Sequence, residues 1–552
     1  MPAASRTAFP IRMLYAVTPQ TRQKAADIGC NWALVYTMGH KAHRSANNPL
    51  PNDDLPIYFE VDQRVAALRR AKKGAVEFER RTLRDAVDHA QRLGLKTMIH
   101  SYEVSLPPEL RRVYPSLWRP MVREYRNCCA ETRANREPCL SDPDVRELIA
   151  LKIAETVRQV PELDAYSFSF NECLSLTKIR HRCDRCREIP FPQMIQWLTE
   201  SVREGLRRVN PGIRLFHRLW GLNEHDDNYH ENIVRQMEFC GGECTKAWMP
   251  AHVKVYAPRS MRYLPSEDLV RYLRTQRGTG IGYIAKATWA DVSINMPLNP
   301  WLKALRGHDM IVELSFESTC SRREQFHVLA GQFQRAARFA RGCGASGLAG
   351  IPLHWGDKHN ELPSERGFMK EEWWELNMLN FDVIEALLRN PDCDMKAVVR
   401  AALRKRYGAA LPARFAGYVA ESQDLRAGTI NIRGIRAGGE HLEEMYYQLL
   451  RYGPTVKGWE ARLSRNPANL RRIFREKDAV VARAEAIVAD IRAHNGRMPA
   501  SAYDEFLSCF TLLRDSAAAM CRRQKLNYLL WALKDGTIRC DIKTIHQIEK
   551  CL

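Results

Sequence analysis

The chain has 552 residues, 45% of them hydrophobic and 27% charged, with glycine (30) and proline (28) near average usage. A mainly disordered, collagen-like or low-complexity chain is excluded, and the length calls for one large barrel with an appendage or for several domains. The 84 Lys and Arg against 64 Asp and Glu give a net charge of +20, which suits a polyanionic partner such as nucleic acid, acidic polysaccharide or a membrane surface.

That charge is spread out. Residues 366–552 hold 31 basic and 23 acidic side chains, and residues 1–365 hold 53 and 41, so no basic tail explains the excess. No stretch of 18 apolar residues predicts a membrane span. The first twelve residues lack the apolar run of a secretory signal, which predicts a cytoplasmic chain. Its sixteen cysteines are then reduced thiols or metal ligands rather than a disulfide scaffold.

In chain order, eight β-rich runs alternate with amphipathic helical patterns: Met13–Val17, Trp32–Thr37, Lys96–Tyr102, Ala165–Phe170, Ile213–Trp220, Ile281–Thr288, Met310–Phe316 and Gly347–Leu353. Several are near-continuous apolar runs, as parallel strands covered on both faces require. Between them, Glu77–Leu93 and Asp144–Val160 read as helices, the second with an N-cap and a first-turn proline in Ser141-Asp-Pro-Asp144. Val253–Tyr256 reads as an excursion between the fifth and sixth strands. Eight such alternations, with no glycine-rich phosphate turn after an early strand, predict an α/β fold: a (β/α)8 TIM barrel in residues 1–365. An all-α C-terminal domain follows in residues 366–552, with helices around Trp373–Leu388, Met395–Tyr407, Glu440–Tyr452, Leu470–Ala493, Tyr503–Met520 and Arg522–Leu533.

Chemistry in such a barrel sits at the C-terminal ends of the strands. There the third strand carries His100, the fourth ends at Glu172, and the fifth carries Arg218 and Trp220. The sixth carries Lys286, Trp289 and Asp291, the seventh Glu313 and Glu317, and the eighth His354, Trp355 and Asp357. Carboxylates after strands four, six and seven, beside aromatic rings and cations, suit glycosidic bond cleavage. One protonated carboxyl supplies a proton to the leaving oxygen, while an ionised one activates water or attacks the sugar.

The segment Lys286-Ala-Thr-Trp-Ala-Asp-Val-Ser-Ile-Asn-Met-Pro297, followed by Val312-Glu-Leu-Ser-Phe-Glu317, resembles the family 67 glycoside hydrolases, the α-glucuronidases. Phe168–Glu172 is similar to the segment bearing that family's general acid, and Phe216-His-Arg218 to its Phe-Tyr-Arg strand. Asn377–Tyr407, with Asn390-Pro-Asp392 between two helices, looks like the start of its helical domain. The resemblance implies Glu172 as general acid, Asp291 with Glu317 or Glu313 as the pair that activates water, and an inverting outcome. It also implies that Arg218 and Lys286 bind the uronate carboxylate. Trp220, Trp289 and Trp355, with His100, His354 and Asp357, would line the substrate pocket. Two positions depart from the pattern: Thr319 stands where the family has a second glutamate, and Phe168 where it has a lysine.

Cysteine gives a second signal. Cys173 follows Glu172, and His181-Arg-Cys183-Asp-Arg-Cys186 lies in the same loop, with Cys128, Cys129 and Cys139 in the loop before. A Cys-x-x-Cys beside further Cys or His residues can hold a structural zinc, and no cofactor is implied for catalysis. The sequence thus predicts a glycoside hydrolase acting on an acidic oligo- or polysaccharide without a membrane partner, and the resemblance implies a homodimer. The alternatives are a catalytically silent carbohydrate-binding barrel and a basic, zinc-stabilised nucleic-acid-binding protein. Against the latter, aromatics gather at strand ends rather than along a basic stripe.

Overall fold

A computed structural model describes residues 8–37, 73–102, 110–120, 136–169, 185, 189–219, 267–287, 298–299, 301–315, 328–352, 376, 378–432, 435–436 and 465–550. Eight parallel strands close into a barrel. They are β1 (Ile11–Tyr15), β2 (Trp32–Thr37), β3 (Lys96–Tyr102), β4 (Ala165–Ser169), β5 (Arg214–Arg218), β6 (Ile281–Lys286), β7 (Met310–Ser315) and β8 (Gly347–Ile351). Each pairs with its neighbours in sequence, and β8 closes the ring on β1. The helices between strands include α1 (Pro19–Asp27), α2 (Lys73–Arg92), α3 (Pro143–Val157), α4 (Phe191–Arg207), α5 (Glu267–Thr275), α6 (Trp301–Ala304) and α7 (Ala330–Gly342). The cap read before α3 is present: the Asp142 side chain accepts from the Asp144 N–H and Pro143 opens the helix. A short antiparallel ribbon, Trp118–Pro120 with Arg136–Pro138, follows β3. Val253–Tyr256 lies outside the described residues.

Alternation along each strand divides the apolar residues into two cores. One set faces the helices: Leu14, Val35, Ile99, Tyr166, Phe168, Leu215, Tyr283, Val312 and Leu348 join the large core beneath α1–α7. The other fills the barrel with Ile11, Met13, Trp32, Leu34, Met98, Ala165, Phe216, Ile284, Ile311, Ala349 and Ile351. Gly282 belongs to this inner face by register, and a Cβ there would lie 2.4 Å from the Phe216 ring, so the glycine makes room for that ring. Within the barrel, Met13, Met98, Phe216 and Ile311 come from the four odd-numbered strands, the arrangement that stacks (β/α)8 interiors in layers of four. Ala349 of β8 stands opposite both Met13 of β1 and Glu313 of β7.

A helical region follows: α8 (Leu379–Arg389), α9 (Met395–Tyr407), α10 (Ala413–Ile430), α11 (Pro467–Arg492), α12 (Ala500–Lys534) and α13 (Ile542–Glu549). The large core continues without a break from the barrel helices into α8–α12 through residues such as Leu387, Val399, Phe415, Val480 and Phe506. The helical region also finishes α7. Leu329, at that helix's N-cap, has no side-chain acceptor, and the first N–H groups of a helix have no partner within it. Ser422 Oγ accepts from the Val328 N–H at 3.0 Å and Asn380 Oδ1 from the Leu329 N–H at 2.9 Å.

Two differences from the sequence reading stand out here. The patterns at Tyr503–Met520 and Arg522–Leu533 are one 35-residue helix, α12, because no glycine or proline interrupts Met520-Cys-Arg-Arg523. α10 was not anticipated: its apolar periodicity is faint, since it is buried on several sides and carries Asp424 and Arg426 into the interior. The expected boundary at 365/366 and the helix at Glu440–Tyr452 lie outside the described residues. Among the described residues no helix is long and apolar enough to cross a membrane.

Candidate active site

Two residues beyond Met13, Met98, Phe216 and Ile311, the same four strands carry Tyr15, His100, Arg218 and Glu313. Because side chains alternate with period two, these four point the same way as the apolar layer below. They form the next odd-strand layer, at the C-terminal mouth, and there the barrel interior turns from apolar to polar.

Glu313 is the hub. Its side chain is 1% exposed, against 12% for Arg218. Arg218 donates from Nε to Oε1 at 2.7 Å and from Nη2 to Oε2 at 3.1 Å. The Tyr15 hydroxyl also donates to Oε1. Lys286 stands opposite Glu313 in the β6–β7 register. Burial alone would raise the Glu313 pKa, but the Arg218 and Lys286 charges and the Arg218 and Tyr15 hydrogen bonds outweigh it and hold the carboxyl below its usual range. The Arg218 guanidinium carbon lies 5.9 Å from the Tyr15 ring centroid, so the ring forms one wall of the cluster.

His100 completes the layer on the far side. It is 1% exposed, with Nδ1 3.1 Å from Ser167 Oγ and Nε2 3.3 Å from Ser169 Oγ. Burial and then the Arg218 charge push its pKa well below the ordinary histidine value, so the ring is neutral at physiological pH. Among the described residues the charges at the mouth are therefore those of Arg218, Lys286 and Glu313. Behind β6, Asn299 fixes the strand end, donating from Nδ2 to the Lys286 carbonyl at 3.0 Å.

Of the residues singled out in the sequence, Arg218, Lys286, Glu313 and His100 are brought together at one end of the barrel. Glu172, Asp291, Glu317, Trp220, Trp289, His354, Trp355 and Asp357 lie outside the described residues. Phe168, which replaces a lysine of the family pattern, does not face the mouth. It lies in the outer core, stacked on His217 at 4.5 Å with the planes 14° apart, between inward-facing Ser167 and Ser169. The exchange therefore takes no cation from the barrel interior. Burial drives the His217 pKa down to about 3, which marks that ring as a neutral packing element. Tyr15 escaped the sequence reading because a tyrosine closing an apolar strand resembles core. The signal was present in the spacing: on each odd strand a polar residue follows an inward apolar one by two.

Among the proposed zinc ligands only Cys139 is described. It is buried just after the short ribbon, with Sγ 2.9 Å from Ser141 Oγ. Cys128, Cys129, Cys173, His181, Cys183 and Cys186 lie outside the described residues. Among the described residues no group of three or more His, Cys, Asp or Glu is placed to hold a metal ion.

The molecule is thus a closed (β/α)8 barrel with a C-terminal helical region and a polar, cation-bearing mouth. No family model and no curated protein matches the sequence. Solved structures are similar in fold. A GH138 enzyme targeting pectin rhamnogalacturonan II matches over 99% of this chain and 76% of its own, at 10% identity and a TM-score of 0.55. The Flavobacterium johnsoniae chitobiase matches over 99% and 75%, at 10% identity and a TM-score of 0.38. A variant of the Thermobaculum terrenum O-GlcNAc hydrolase matches over 99% and 94%, at 9% identity and a TM-score of 0.40. All three neighbours are glycoside hydrolases, and the likeness to the first shows the fold.

Proposed function

We propose that this chain is a glycoside hydrolase that removes an α-linked uronic acid of the glucuronic acid kind, or a related acidic sugar, from an oligo- or polysaccharide with inversion. The observation that carries this reading is the mouth layer. Among the described residues Arg218 and Lys286 bring two cations to the end of the barrel where (β/α)8 enzymes carry out their chemistry, beside Glu313 and neutral His100. A desolvated cation pair complements an anionic sugar group better than a neutral one. A fold shared with an enzyme targeting a pectin polysaccharide is compatible with a substrate of that class.

In this reading Glu172, protonated, donates to the leaving oxygen. Asp291 and Glu317 deprotonate the attacking water from the opposite face, roughly 6.5–9.5 Å from the acid. Arg218 and Lys286 anchor the acidic group. Glu313, the alternative to Glu317, takes an orienting role instead. Both its oxygens are held by Arg218 and Tyr15 and it is kept ionised, which suits neither proton donation nor a mobile base.

The Glu172→Gln variant tests the assignment on a panel of α-linked glucuronides and galacturonides. Release of reducing sugar is expected to fall by about 10²–10⁴-fold; equal release by variant and wild type would show the assigned acid to be wrong. A wild type that binds these sugars without cleaving them would make the barrel a binding module. The same reading includes a structural zinc gripped by Cys183 and Cys186 with two of Cys128, Cys129, Cys139, Cys173 and His181. Metal analysis is expected to find stoichiometric zinc in purified protein and none in the Cys183→Ser/Cys186→Ser variant, and metal-free wild type would remove the proposal.

A further inference from the structure

Arg218 alone does not define an anion site. A long side chain at a strand end has several rotamers, and a guanidinium recognises a carboxylate in a particular plane. Something must choose that plane before the ligand arrives, because ordering the side chain on binding costs affinity. Glu313 does so in part by taking the Nε–Nη2 edge. A carboxylate held on one side only, however, can still rotate about its own χ3, a broad torsion, and carry the guanidinium with it.

Tyr15 removes that freedom. Its hydroxyl reaches Glu313 Oε1 from β1, while Arg218 reaches the same oxygen from β5, so the carboxylate is held from two strands that are not neighbours in the barrel. Tyr15 is itself well held: it is 8% exposed, its strand is paired on both sides, and the next residue's N–H donates to the Leu34 carbonyl at 2.8 Å. Its ring also stands beside the guanidinium.

We infer that Tyr15 is a specificity-determining positioning residue of the site: acting through Glu313, it sets the orientation in which Arg218 meets the acidic group of the sugar. This rests on the reading of the mouth as an acidic-sugar site. Tyr15 donates to Glu313 and is not assigned to the reacting atoms. Removing its hydroxyl leaves every formal charge at the mouth in place, so a change in discrimination between acidic and neutral sugars would report geometry rather than charge.

The test uses the full chain with free D-glucuronate and D-galacturonate and their neutral counterparts, glucose and galactose, by calorimetric titration. Turnover of the matching α-linked glycosides is followed in parallel. Wild type, Tyr15→Phe, Glu313→Gln and the double variant are compared, with thermal melts to establish folding. Wild type is expected to prefer the acidic sugars. Tyr15→Phe is expected to weaken acidic-sugar binding about threefold to tenfold, with no change for the neutral sugars and with the kinetic loss on KM rather than kcat. On the Glu313→Gln background the same exchange is expected to cost at most twofold, because Tyr15 has lost the charged acceptor through which it acts. Equal penalties on both backgrounds would overturn the inference, as would a loss confined to kcat or an unchanged preference in folded Tyr15→Phe. A wild type indifferent to acidic and neutral sugars would instead overturn the underlying reading, and this inference with it.

Discussion

The two ends of the barrel each pair an arginine with a carboxylate, to different effect. At the floor, Arg214 opens β5 and pairs with Asp309, with side chains 41% and 36% exposed. Its guanidinium lies over the Trp32 and Phe216 rings, 5.3 and 5.0 Å from their centroids. Four residues on, Arg218 ends the same strand and pairs with Glu313, at 12% and 1% exposure. The floor pair is screened by water and caps the apolar interior, so it contributes little beyond covering two rings. The mouth pair has been taken out of water, where its members depend on each other and an uncompensated partner is costly. Position in the barrel decides whether an Arg–carboxylate pair is trim or a committed part of a site.

The comparison can be broken by mutation. Arg218→Ala is expected to destabilise the protein by about 3 kcal/mol, since buried Glu313 loses its bidentate partner and keeps the Tyr15 hydroxyl and the Lys286 charge. Urea unfolding would show it, and a loss below about 1 kcal/mol would mean the mouth pair is no more committed than the floor pair. A pH series sharpens the contrast at intermediate size. The folded-state pKa values of His100 and His217 lie below the ordinary 6.5, that of His217 at about 3. Their contribution to stability is therefore full above pH 6.5 and falls as the pH drops, because the unfolded chain takes up protons that these buried rings refuse. Each contributes up to about 1.4 kcal/mol per pH unit in that window. Asp424 works in the opposite sense: burial and then Glu421 raise it to about 7, so its penalty sets in between pH 3.8 and about 7. His217→Phe, which keeps a ring against Phe168, should flatten the acid limb by one histidine's worth, and an unchanged slope would reject the buried-neutral assignment. The smallest effect is expected at the floor. Arg214→Ala should cost about 1 kcal/mol from the ion pair and the ring contacts together, with unchanged discrimination between acidic and neutral sugars.

Much of this architecture was legible in the sequence, for reasons that differ along the chain. The eight strands announced themselves because parallel strands buried on both faces leave dense apolar runs such as Trp32–Thr37. α3 declared its own start through Asp142 and Pro143. α12 was harder. The sequence reading divides it at Met520, yet termination needs a breaker and none is present. The convergence of Arg218, Lys286, Glu313 and His100 at one end of the barrel was legible because charge and polarity at strand ends are conspicuous. Tyr15 was not, since its ring packs like core and only its hydroxyl reaches Glu313. Phe168 misled in the other direction: its place in a motif suggested the mouth, but one residue of phase along β4 turns it to the helices.

That phase dependence gives β8 an importance its side chains do not suggest. Gly347, Ala349 and Ile351 bring nothing polar to the mouth, yet Ala349 is the common partner that levels Met13 on one side and Glu313 on the other. The meeting of Tyr15 with Glu313 is therefore ruled off against a strand that touches neither the proton nor the charge. Inserting or deleting a single residue within Gly347–Ile351 would put β1 and β7 out of step and separate the hydroxyl from the carboxylate, with every polar residue of the layer still encoded. In the language of inheritance, the site's most fragile instruction is a spacing, written in glycine, alanine and isoleucine.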